Sequence, residues 1–387
     1  MDEKIGLALS GGGYRATLFC LGTLWRFNDA GLLSRLDTIT SVSGGAIAAG
    51  FLAYKWDELV FEPNQAGLVA SNFSDKVAEP LIRFTQNKID YSSIVRGIFS
   101  LRSSVGEQLL QQYEDLLFHK TRLDSILNKK SPQFIFYGTN YDSGASVRIS
   151  KEYFRDWRIG QVADHGLTVA EAICISSSFP PFIAPIVINS SHWQWERTKY
   201  SDLFDKEELK KRLFLCDGGL YDNLGLEMLW KTGASQNYDT VFSCDAGAPF
   251  KAPYQYSDGV WGRFLKRISW RKSWLSQFMR MTEVMINQQR ALRKRWFLDN
   301  LISPESYNGA YWGIDVNIED YPLDDPLVTY TAPFQKLKEL NTQLRPFSKT
   351  ETVNLVHWGY ALADAALRGY YDKSLRSGEL PELNRAF

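Results

Sequence analysis

The chain has 387 residues, 44% of them hydrophobic and 23% charged, which is the composition of a globular protein with a substantial core. Its formal net charge is zero, so bulk charge does not favour a nucleic-acid partner. No stretch approaches the ~20 apolar residues of a membrane span, and the opening MDEKIGLALS lacks the apolar segment of a signal peptide. Widely spaced cysteines without a CxxC pair predict reduced thiols in the cytoplasm rather than a metal or redox motif.

The chain up to Tyr54 alternates between strands and helices. Ile5–Leu9 is a short apolar run that predicts a buried strand, and the glycines after it predict a tight turn. A helix with apolar residues at a helical period follows and should end at Gly31. Leu36–Val42 predicts a second strand, and the small apolar residues Gly44–Tyr54 predict a buried helix. This order is typical of a parallel α/β sheet.

The middle of the chain adds further strands to this sheet. Residues 55–130 look mainly helical and polar, without a clear strand, and should form an insertion. Thr168 and Glu171 match a capping box, which predicts a short helix that ends in the run Ser176–Pro181. More strands are predicted by the runs at Phe134–Tyr137, Ala145–Ser150, Leu213–Cys216 and Thr240–Cys244.

The pattern beyond residue 250 is helical, and Trp261–Asn300 is the longest such segment. No internal repeat or low-complexity linker divides the chain. We therefore expect a single domain over residues 1–387, with an α/β core in about residues 1–250 and a helical part in about residues 251–387.

Three glycines, Gly11, Gly12 and Gly13, lie between the first strand and the first helix. Their free N–H groups, beside a positive helix N-terminus, would stabilise an anion. That anion could be a pyrophosphate, because G-x-G-x-x-A is one form of the dinucleotide fingerprint, or the oxyanion of an acyl-transfer intermediate. A dinucleotide site needs an acid at the end of the second strand, and Asp37 lies at its start, which disfavours the nucleotide. A turn without a ligand is the remaining alternative.

Ser43 lies between the second strand and the second helix. A nucleophile elbow needs small residues two before and two after the serine, and Ser41 and Gly45 satisfy this steric demand. The helix that begins at Gly44 would favour negative charge near the serine. Ser43 could equally be an ordinary N-cap of that helix, and the residues alone leave both interpretations open.

A nucleophilic serine needs a base, and the chain has only four histidines, His119, His165, His192 and His357. The order serine, Asp217, His357 would match an α/β-hydrolase triad. Such hydrolases normally place several strands before the nucleophile, however, and here one strand precedes the elbow strand. The histidines are therefore poor candidates for the base.

Two aspartates are better placed, because each directly follows a buried strand. Asp217 is followed by two glycines in CDGG, and Asp245 stands in the similar sequence CDAG. Active sites of parallel sheets collect at such strand ends. Either carboxylate could act as a general base if burial raised its pKa, and the residues alone do not choose between them.

Four motifs in this order resemble the patatin-like phospholipase family, whose core is related to cytosolic phospholipase A2. They are SGGGYRA (Ser10–Ala16), SVSGG (Ser41–Gly45), SSSFP (Ser176–Pro180) and DGGL (Asp217–Leu220). The resemblance implies a three-layer α/β core with a mostly parallel central sheet flanked by helices. It also implies a serine–aspartate dyad that uses no histidine, metal or cofactor.

Carried over residue by residue, the resemblance implies Ser43 as the nucleophile and Asp217 as its base. It assigns the oxyanion hole to the turn Gly11–Gly13, with the N–H groups of the last two glycines as donors and the first shaping the turn. Arg15 would lie near the site and either hold a lipid phosphate by bidentate hydrogen bonds or fix the loop through a salt bridge. Ser41 departs from the pattern, because the family has a glycine there.

The implied activity is that of a serine acyl hydrolase, of phospholipase A or lysophospholipase type, which cleaves fatty-acyl esters of membrane glycerophospholipids through an acyl-enzyme. Such a protein would be cytoplasmic and would contact a membrane, at its inner surface, transiently and peripherally. A regulatory partner or an oligomer would be expected to control it. The alternative, suggested by Ser41, is a catalytically degenerate lipid-binding or regulatory protein.

The segment from Arg263 to Arg295 carries ten basic residues and a single acid, Glu283. Large apolar residues recur in it at roughly helical spacing, namely Trp270, Trp274, Phe278, Met281 and Met285. A basic amphipathic helix can lie on an anionic bilayer. The alternative is a helix that packs on the core and has a solvated basic face.

Overall fold

The computed structural model describes residues 3–87, 105–180, 183, 185–230, 238–247, 249–250, 274–303, 307–383 and 385–387. Within them the chain forms a large mixed sheet with helices on both faces. The strands are β1 (Ile5–Leu9), β2 (Thr38–Ser41), β3 (Phe61–Asn64), β4 (Gly67–Ala70), β5 (Gln133–Asn140), β6 (Ser146–Ile149), β7 (Phe154–Asp156), β8 (Gly160–Val162), β9 (Ile186–Asn189), β10 (Arg212–Asp217), β11 (Thr240–Asp245) and β12 (Asn308–Gly313). The described α-helices are α1 (Gly13–Asp29), α2 (Gly44–Lys55), α3 (Glu79–Thr85), α4 (Val105–Tyr113), α5 (Val169–Ser177), α6 (Gly219–Asp222), α7 (Trp274–Ile302), α8 (Ala332–Gln335) and α9 (Lys349–Ala366).

The sheet has the strand order β12-β11-β1-β2-β5-β6-β7-β8, and β10 joins β5 to β9. Neighbours from β12 to β5 are parallel, whereas β6 to β10 add antiparallel pairs. Strands β1, β2 and β11 are buried along their whole length, as expected of parallel strands covered on both faces. The predicted fold class, a three-layer α/β core with a mostly parallel central sheet, is confirmed.

Alternate residues of the central strands face two different helical layers. In β1, Leu7 and Leu9 belong to the large cluster that contains α1, α2 and α9, whereas Ala8 packs in a second cluster with Phe297 of α7. Helix α1 packs along α9 and α2 on the first face. The loops at the carboxyl ends of the parallel strands therefore lie between these two helical layers.

Local signals at two helix ends are confirmed. Gly31 follows α1 with φ of 67°, a conformation that glycine adopts without a steric penalty. Thr168 accepts the N–H of Glu171 at 3.1 Å, and the Glu171 carboxylate accepts the N–H of Thr168 at 2.7 Å, which completes the predicted capping box of α5.

Some outer strands differ from the prediction. Residues 55–130 contain α3 and α4 but also the hairpin β3–β4, whose mostly exposed residues lack an alternating apolar pattern. The C-terminal part contains α7 and α9 but also β12, which pairs with β11 at the edge of the sheet. A Cβ at Gly309 would lie 1.8 Å from the carbonyl oxygen of Val241, so the glycine that weakens the strand pattern is what allows this close pairing. The short strands β7, β8 and β9 also have no separate counterpart in the prediction.

None of the helices in the described part of the chain is both long enough and apolar enough to cross a membrane.

Candidate active site

Strands β2 and β10 bring the predicted serine and aspartate together. Strand β2 runs parallel to β5 and ends with Ser41 opposite Phe136, whereas β10 runs antiparallel to β5 and ends with Asp217 opposite Gly138. Both lie on the edge of β5 that faces away from β6. Their carboxyl ends therefore meet along one edge of β5. The position of Asp217 at a strand end was predicted, but its strand is antiparallel to its neighbours and not part of a parallel run.

Ser43 adopts a strained backbone conformation, with φ of 52° and ψ of −120°. Such a conformation costs a non-glycine residue on the order of 1–3 kcal/mol and must be imposed by the surroundings. Ser43 stands at the N-cap position of α2, yet its hydroxyl accepts no capping hydrogen bond from the described backbone. The residue is partly exposed, unlike its buried neighbours Val42 and Gly44. This geometry is that of a nucleophile elbow and not of a serine N-cap.

The turns after β1 and β2 hold the elbow by close packing. A Cβ at Gly44 would lie 2.0 Å from the carbonyl oxygen of Gly13, and a Cβ at Gly45 would lie 2.6 Å from those of Leu9 and Ser10. These glycines are needed because the elbow lies against the main chain of the preceding turn.

The unusual Ser41 fits this elbow without strain. In the described part of the chain the non-glycine residues with positive φ are Ser43, His119, Lys120 and Leu127, so Ser41 has an ordinary backbone conformation. Its buried hydroxyl donates a hydrogen bond to the carbonyl oxygen of Ile135 in β5 at 3.3 Å. The side chain at this position therefore contacts the neighbouring strand β5, and it forces no unusual backbone conformation at the start of the elbow.

The end of α5 contacts both halves of the site. The N–H of Ser43 donates to the hydroxyl oxygen of Ser176 at 3.0 Å, and the N–H of Asp217 donates to the carbonyl oxygen of Ser178 at 3.0 Å. The SSSFP motif thus ties the elbow to the strand that carries the aspartate. Sequence reasoning singled out this motif only through the family resemblance and assigned it no contact.

Asp217 is buried and only 1% exposed. Its Oδ1 accepts the N–H of Gly219 at 2.7 Å, while Oδ2 completes no hydrogen bond of standard geometry with any described residue. Burial raises the pKa of Asp217 to about 7, an effect that the Gly219 N–H and the nearby Ser43 hydroxyl only partly offset. A carboxyl group with a pKa near neutrality and a free lone pair beside a serine is suited to general base catalysis.

The three N–H groups of the glycine turn differ in their hydrogen bonding. The N–H of Gly11 donates to the main-chain oxygen of Asn223 at 3.0 Å. Gly12 and Gly13 have φ of 144° and 58°, and their N–H groups donate to no main-chain oxygen of the described residues. Because Gly13 begins α1, these two groups lie at a positive helix end. The geometry suits the predicted division, in which Gly11 shapes the turn.

Arg15 is fully buried and holds this turn in place. Its guanidinium donates to the carbonyl oxygens of Ala246, Lys338 and Leu340 at 2.7, 3.0 and 2.9 Å. Burial, reinforced by Arg290, lowers the pKa of Arg15 to about 10. Of the two roles considered for Arg15, these contacts correspond to fixing the loop, through main-chain oxygens rather than through a salt bridge.

The second candidate base, Asp245, is occupied. Its carboxylate accepts bonds from Arg290 of α7, the shortest at 2.6 Å, and from the hydroxyl of Tyr311 at 2.7 Å. Burial alone would raise the pKa of Asp245, but the charge and hydrogen bonds of Arg290, with Tyr311, hold it below its usual value. Asp245 is thus a charged partner in a buried ion pair.

The histidine alternative finds no geometric support. All four histidines lie in the described part of the chain, and none of them forms a hydrogen bond with Ser43 or Asp217. His165 contacts the Ser150 carbonyl oxygen at 2.9 Å, and His357 contacts that of Pro381 at 2.9 Å.

The fold and the site together define a three-layer α/β protein in which a serine on a strained strand-to-helix turn faces a buried aspartate. The model of the patatin-like phospholipase family matches residues 7–230, more than half of the chain, and this range includes both residues. The chain therefore belongs to the patatin-like phospholipase family, a family of lipid hydrolases. The resemblance carried by the four short motifs is confirmed.

Solved structures share the fold at low sequence identity. Human GIVD cytosolic phospholipase A2 matches with a TM-score of 0.53 and 13% identity, over 97% of this chain and 60% of that chain. The same human protein in complex with methyl gamma-linolenyl fluorophosphonate matches with a TM-score of 0.51 and 13% identity, over 94% and 57%. The chain thus spans less than two thirds of the length of these proteins. No curated protein matches the chain by sequence.

Proposed function

We propose that the chain is a serine acyl hydrolase, of phospholipase A or lysophospholipase type, which cleaves fatty-acyl esters of membrane glycerophospholipids. One observation carries the proposal, namely that the buried carboxyl of Asp217, with its pKa near 7, lies beside a partly exposed serine on a strained elbow. A carboxyl with an ordinary pKa would be a far weaker base toward a serine hydroxyl.

The proposed reaction needs only groups of this chain and water. Asp217 accepts the hydroxyl proton of Ser43 as the serine oxygen attacks the ester carbonyl carbon. The N–H groups of Gly12 and Gly13 stabilise the resulting oxyanion, helped by the N-terminus of α1. When the ester C–O bond breaks, the leaving alcohol takes the proton from Asp217 and an acyl-enzyme remains. A water molecule then gives a proton to Asp217, attacks the acyl carbon and releases the fatty acid, and Ser43 recovers its proton.

Ser176 and Arg15 serve the site as positioning residues in this proposal. Ser176 holds the main chain of the elbow at 3.0 Å, and Arg15 links the glycine turn to the end of β11 and to the loop at residues 338–340. Rigid donors and a rigid nucleophile are what acyl transfer requires, because a misplacement of about 1 Å can cost about 10²-fold in rate.

Helix α7 supports a peripheral contact with the membrane. It runs from the carboxyl ends of the parallel strands, where Arg290 meets Asp245, toward the start of β12, where Phe297 stacks on Tyr307. Twelve residues separate Arg290 from Phe278, so the amino-terminal half extends about 18 Å beyond the strand ends, on the side of the elbow.

The exposed side chains of this half are largely apolar. Phe278, Met281 and Met285 are 47%, 51% and 63% exposed. By contrast, Arg290 pairs with Asp245, and Arg293 lies 3.2 Å from the carboxylates of both Asp222 and Glu227. Both arginines thus anchor the helix to the loops of the site.

We therefore propose a transient contact through the apolar half of α7, from the cytoplasmic side of a membrane and under the control of a partner or an oligomer. In this proposal Arg290 and Arg293 hold the helix against the site, and the exposed apolar side chains face outward. Residues 263–273, which carry five of the ten basic residues and Trp270, lie outside the described residues.

Covalent labelling tests the proposed nucleophile. A fluorophosphonate probe should label the folded wild type, and Ser43→Ala should abolish the labelling. Ser191→Ala, at an exposed serine of a surface turn, is the matched control and should leave it intact. Wild-type protein that is folded but takes up no probe would instead support the alternative, a degenerate lipid-binding protein. The ordinary backbone conformation of Ser41 supports the enzyme over that alternative.

A further inference from the structure

Asn223 follows α6 and joins the two loops of the site. Its main-chain oxygen accepts the N–H of Gly11 at 3.0 Å, so the loop after β10 is bonded to the turn after β1. The residue is partly exposed, as are Ser43 and Gly12, whereas Asp217 is buried. Asn223 therefore lies at the open side of the site, between the glycine turn and the base.

The side-chain amide of Asn223 lies close to both members of the dyad. A Cβ at Gly11 would lie 2.4 Å from its Oδ1 and 3.0 Å from the Cβ of Ser43, which limits the separation of these two atoms to about 5.4 Å. A Cβ at Gly219 would lie 2.7 Å from the same Oδ1 and 3.0 Å from Oδ1 of Asp217, which limits that separation to about 5.7 Å. The amide oxygen therefore lies within about 6 Å of both the Cβ of Ser43 and Oδ1 of Asp217.

Two glycines of the motifs are explained by this amide. A methyl group at Gly11 or at Gly219 would collide with Asn223 Oδ1, so both positions must lack a side chain for the amide to enter. Close approach of this kind is a recognised reason for glycine at a site. The first glycine of the turn and the second glycine of DGG therefore serve the same contact.

We infer that Asn223 is a positioning residue for acyl transfer, which sets the spacing between the oxyanion turn and the base and gives the base a neutral polar neighbour. The inference rests on the proposed acyl hydrolase function. The main-chain bond to Gly11 joins the two loops, whereas the side-chain oxygen, packed against Gly11 and Gly219, keeps the turn and the base apart. Because the amide is uncharged, it places no second carboxylate beside Asp217. A like charge at this range would favour the protonated carboxyl and withdraw the base.

The charged and titratable groups to consider around this position, within the described residues, are those beside Asp217 and Asp222. Gly219 and Ser43 provide the polar contacts of Asp217, and the thiol of Cys216 is its titratable neighbour. Asp222 precedes Asn223; burial raises the pKa of Asp222, and Arg293 from α7, at 3.2 Å, only partly offsets this. A carboxylate placed at position 223 would therefore raise the pKa of Asp217 further, because no cation among the described residues offsets its burial.

Two variants test the inference by hydrolysis of a soluble p-nitrophenyl ester across pH 5–9. Asn223→Ala should lower kcat roughly tenfold or more, because the two loops lose their spacer, while KM changes far less. Asn223→Asp keeps the shape of the side chain and should move the acidic limb of the kcat/KM profile upward by about one pH unit or more. Asn308→Asp, at an exposed asparagine at the amino end of β12, is the matched control and should do neither.

The outcomes separate this inference from the proposed function. If the wild type hydrolyses no ester and takes up no fluorophosphonate, the proposed function fails. If the wild type is active but Asn223→Asp keeps the wild-type pH profile, the inference about Asn223 is wrong. Retention of full kcat by Asn223→Ala would overturn it as well. Thermal melting verifies that each variant is folded, and the isosteric Asp variant decides the matter should the Ala variant not fold.

Discussion

Replacement of Asp217 by asparagine should stabilise the protein at neutral pH while it abolishes turnover. A free aspartate has a pKa of about 3.9, and burial raises that of Asp217 to about 7. Each pH unit corresponds to about 1.4 kcal/mol, so the fold disfavours the ionised carboxylate by about 4 kcal/mol. Asparagine can accept the same N–H of Gly219 but never ionises.

The sign of the effect follows from proton linkage. Because the folded pKa is the higher one, the folded protein binds more protons than the unfolded chain between pH 4 and 7. The free energy of unfolding of the wild type therefore falls, through Asp217, as pH rises from about 4 to about 7. Above pH 7 this loss stays near 4 kcal/mol. Asp217→Asn should thus gain stability relative to wild type over this range.

Urea unfolding at pH 4, 5, 6, 7 and 8 measures this difference. Ser43→Ala is one control, because it removes the nucleophile without a titrating group. Asp245→Asn is a second control of opposite sign, since the lowered pKa of Asp245 stabilises the fold at neutral pH and this stabilisation is lost as pH falls. A difference between Asp217→Asn and wild type that stayed constant from pH 4 to 8 would refute the argument.

Three further outcomes are expected. His357→Ala should keep most of the turnover in ester hydrolysis, because the imidazole of His357 bonds to the carbonyl oxygen of Pro381 and not to the dyad. A loss as severe as that of Ser43→Ala would favour a triad. Arg290→Gln should destabilise the fold by about 3–5 kcal/mol in urea unfolding, because a buried carboxylate loses its counter-charge. Phe278→Ser with Met285→Ser should weaken sedimentation with phospholipid vesicles but spare hydrolysis of a soluble ester, whereas equal losses in both assays would contradict the proposed role of α7.

The best predictions from the sequence concern features whose causes lie within a few residues. The order β1–α1–β2–α2, the end of α1 at Gly31 and the capping box of Thr168 were all recognised from local patterns. An elbow at Ser43 was one of two interpretations, because its steric demand for small neighbours is visible in the sequence. The hairpin β3–β4 and strand β12 were not predicted. The hairpin is mostly exposed and so lacks an alternating apolar pattern, and β12 contains Gly309, which its close pairing with β11 requires.

The sequence by itself determined which residues could carry the chemistry, and the tertiary structure decided between them. Asp217 and Asp245 follow strands in nearly the same local sequence. The difference is made by Arg290, which approaches Asp245 from α7, whereas Asp217 has no counter-ion among the described residues. In the same way, the role of Ser41 depends on its contact with β5 and the role of Asn223 on its contact with Gly11, and both partners lie far away along the chain. Burial and charge at one atom depend on every element packed around it, and a local pattern does not contain them.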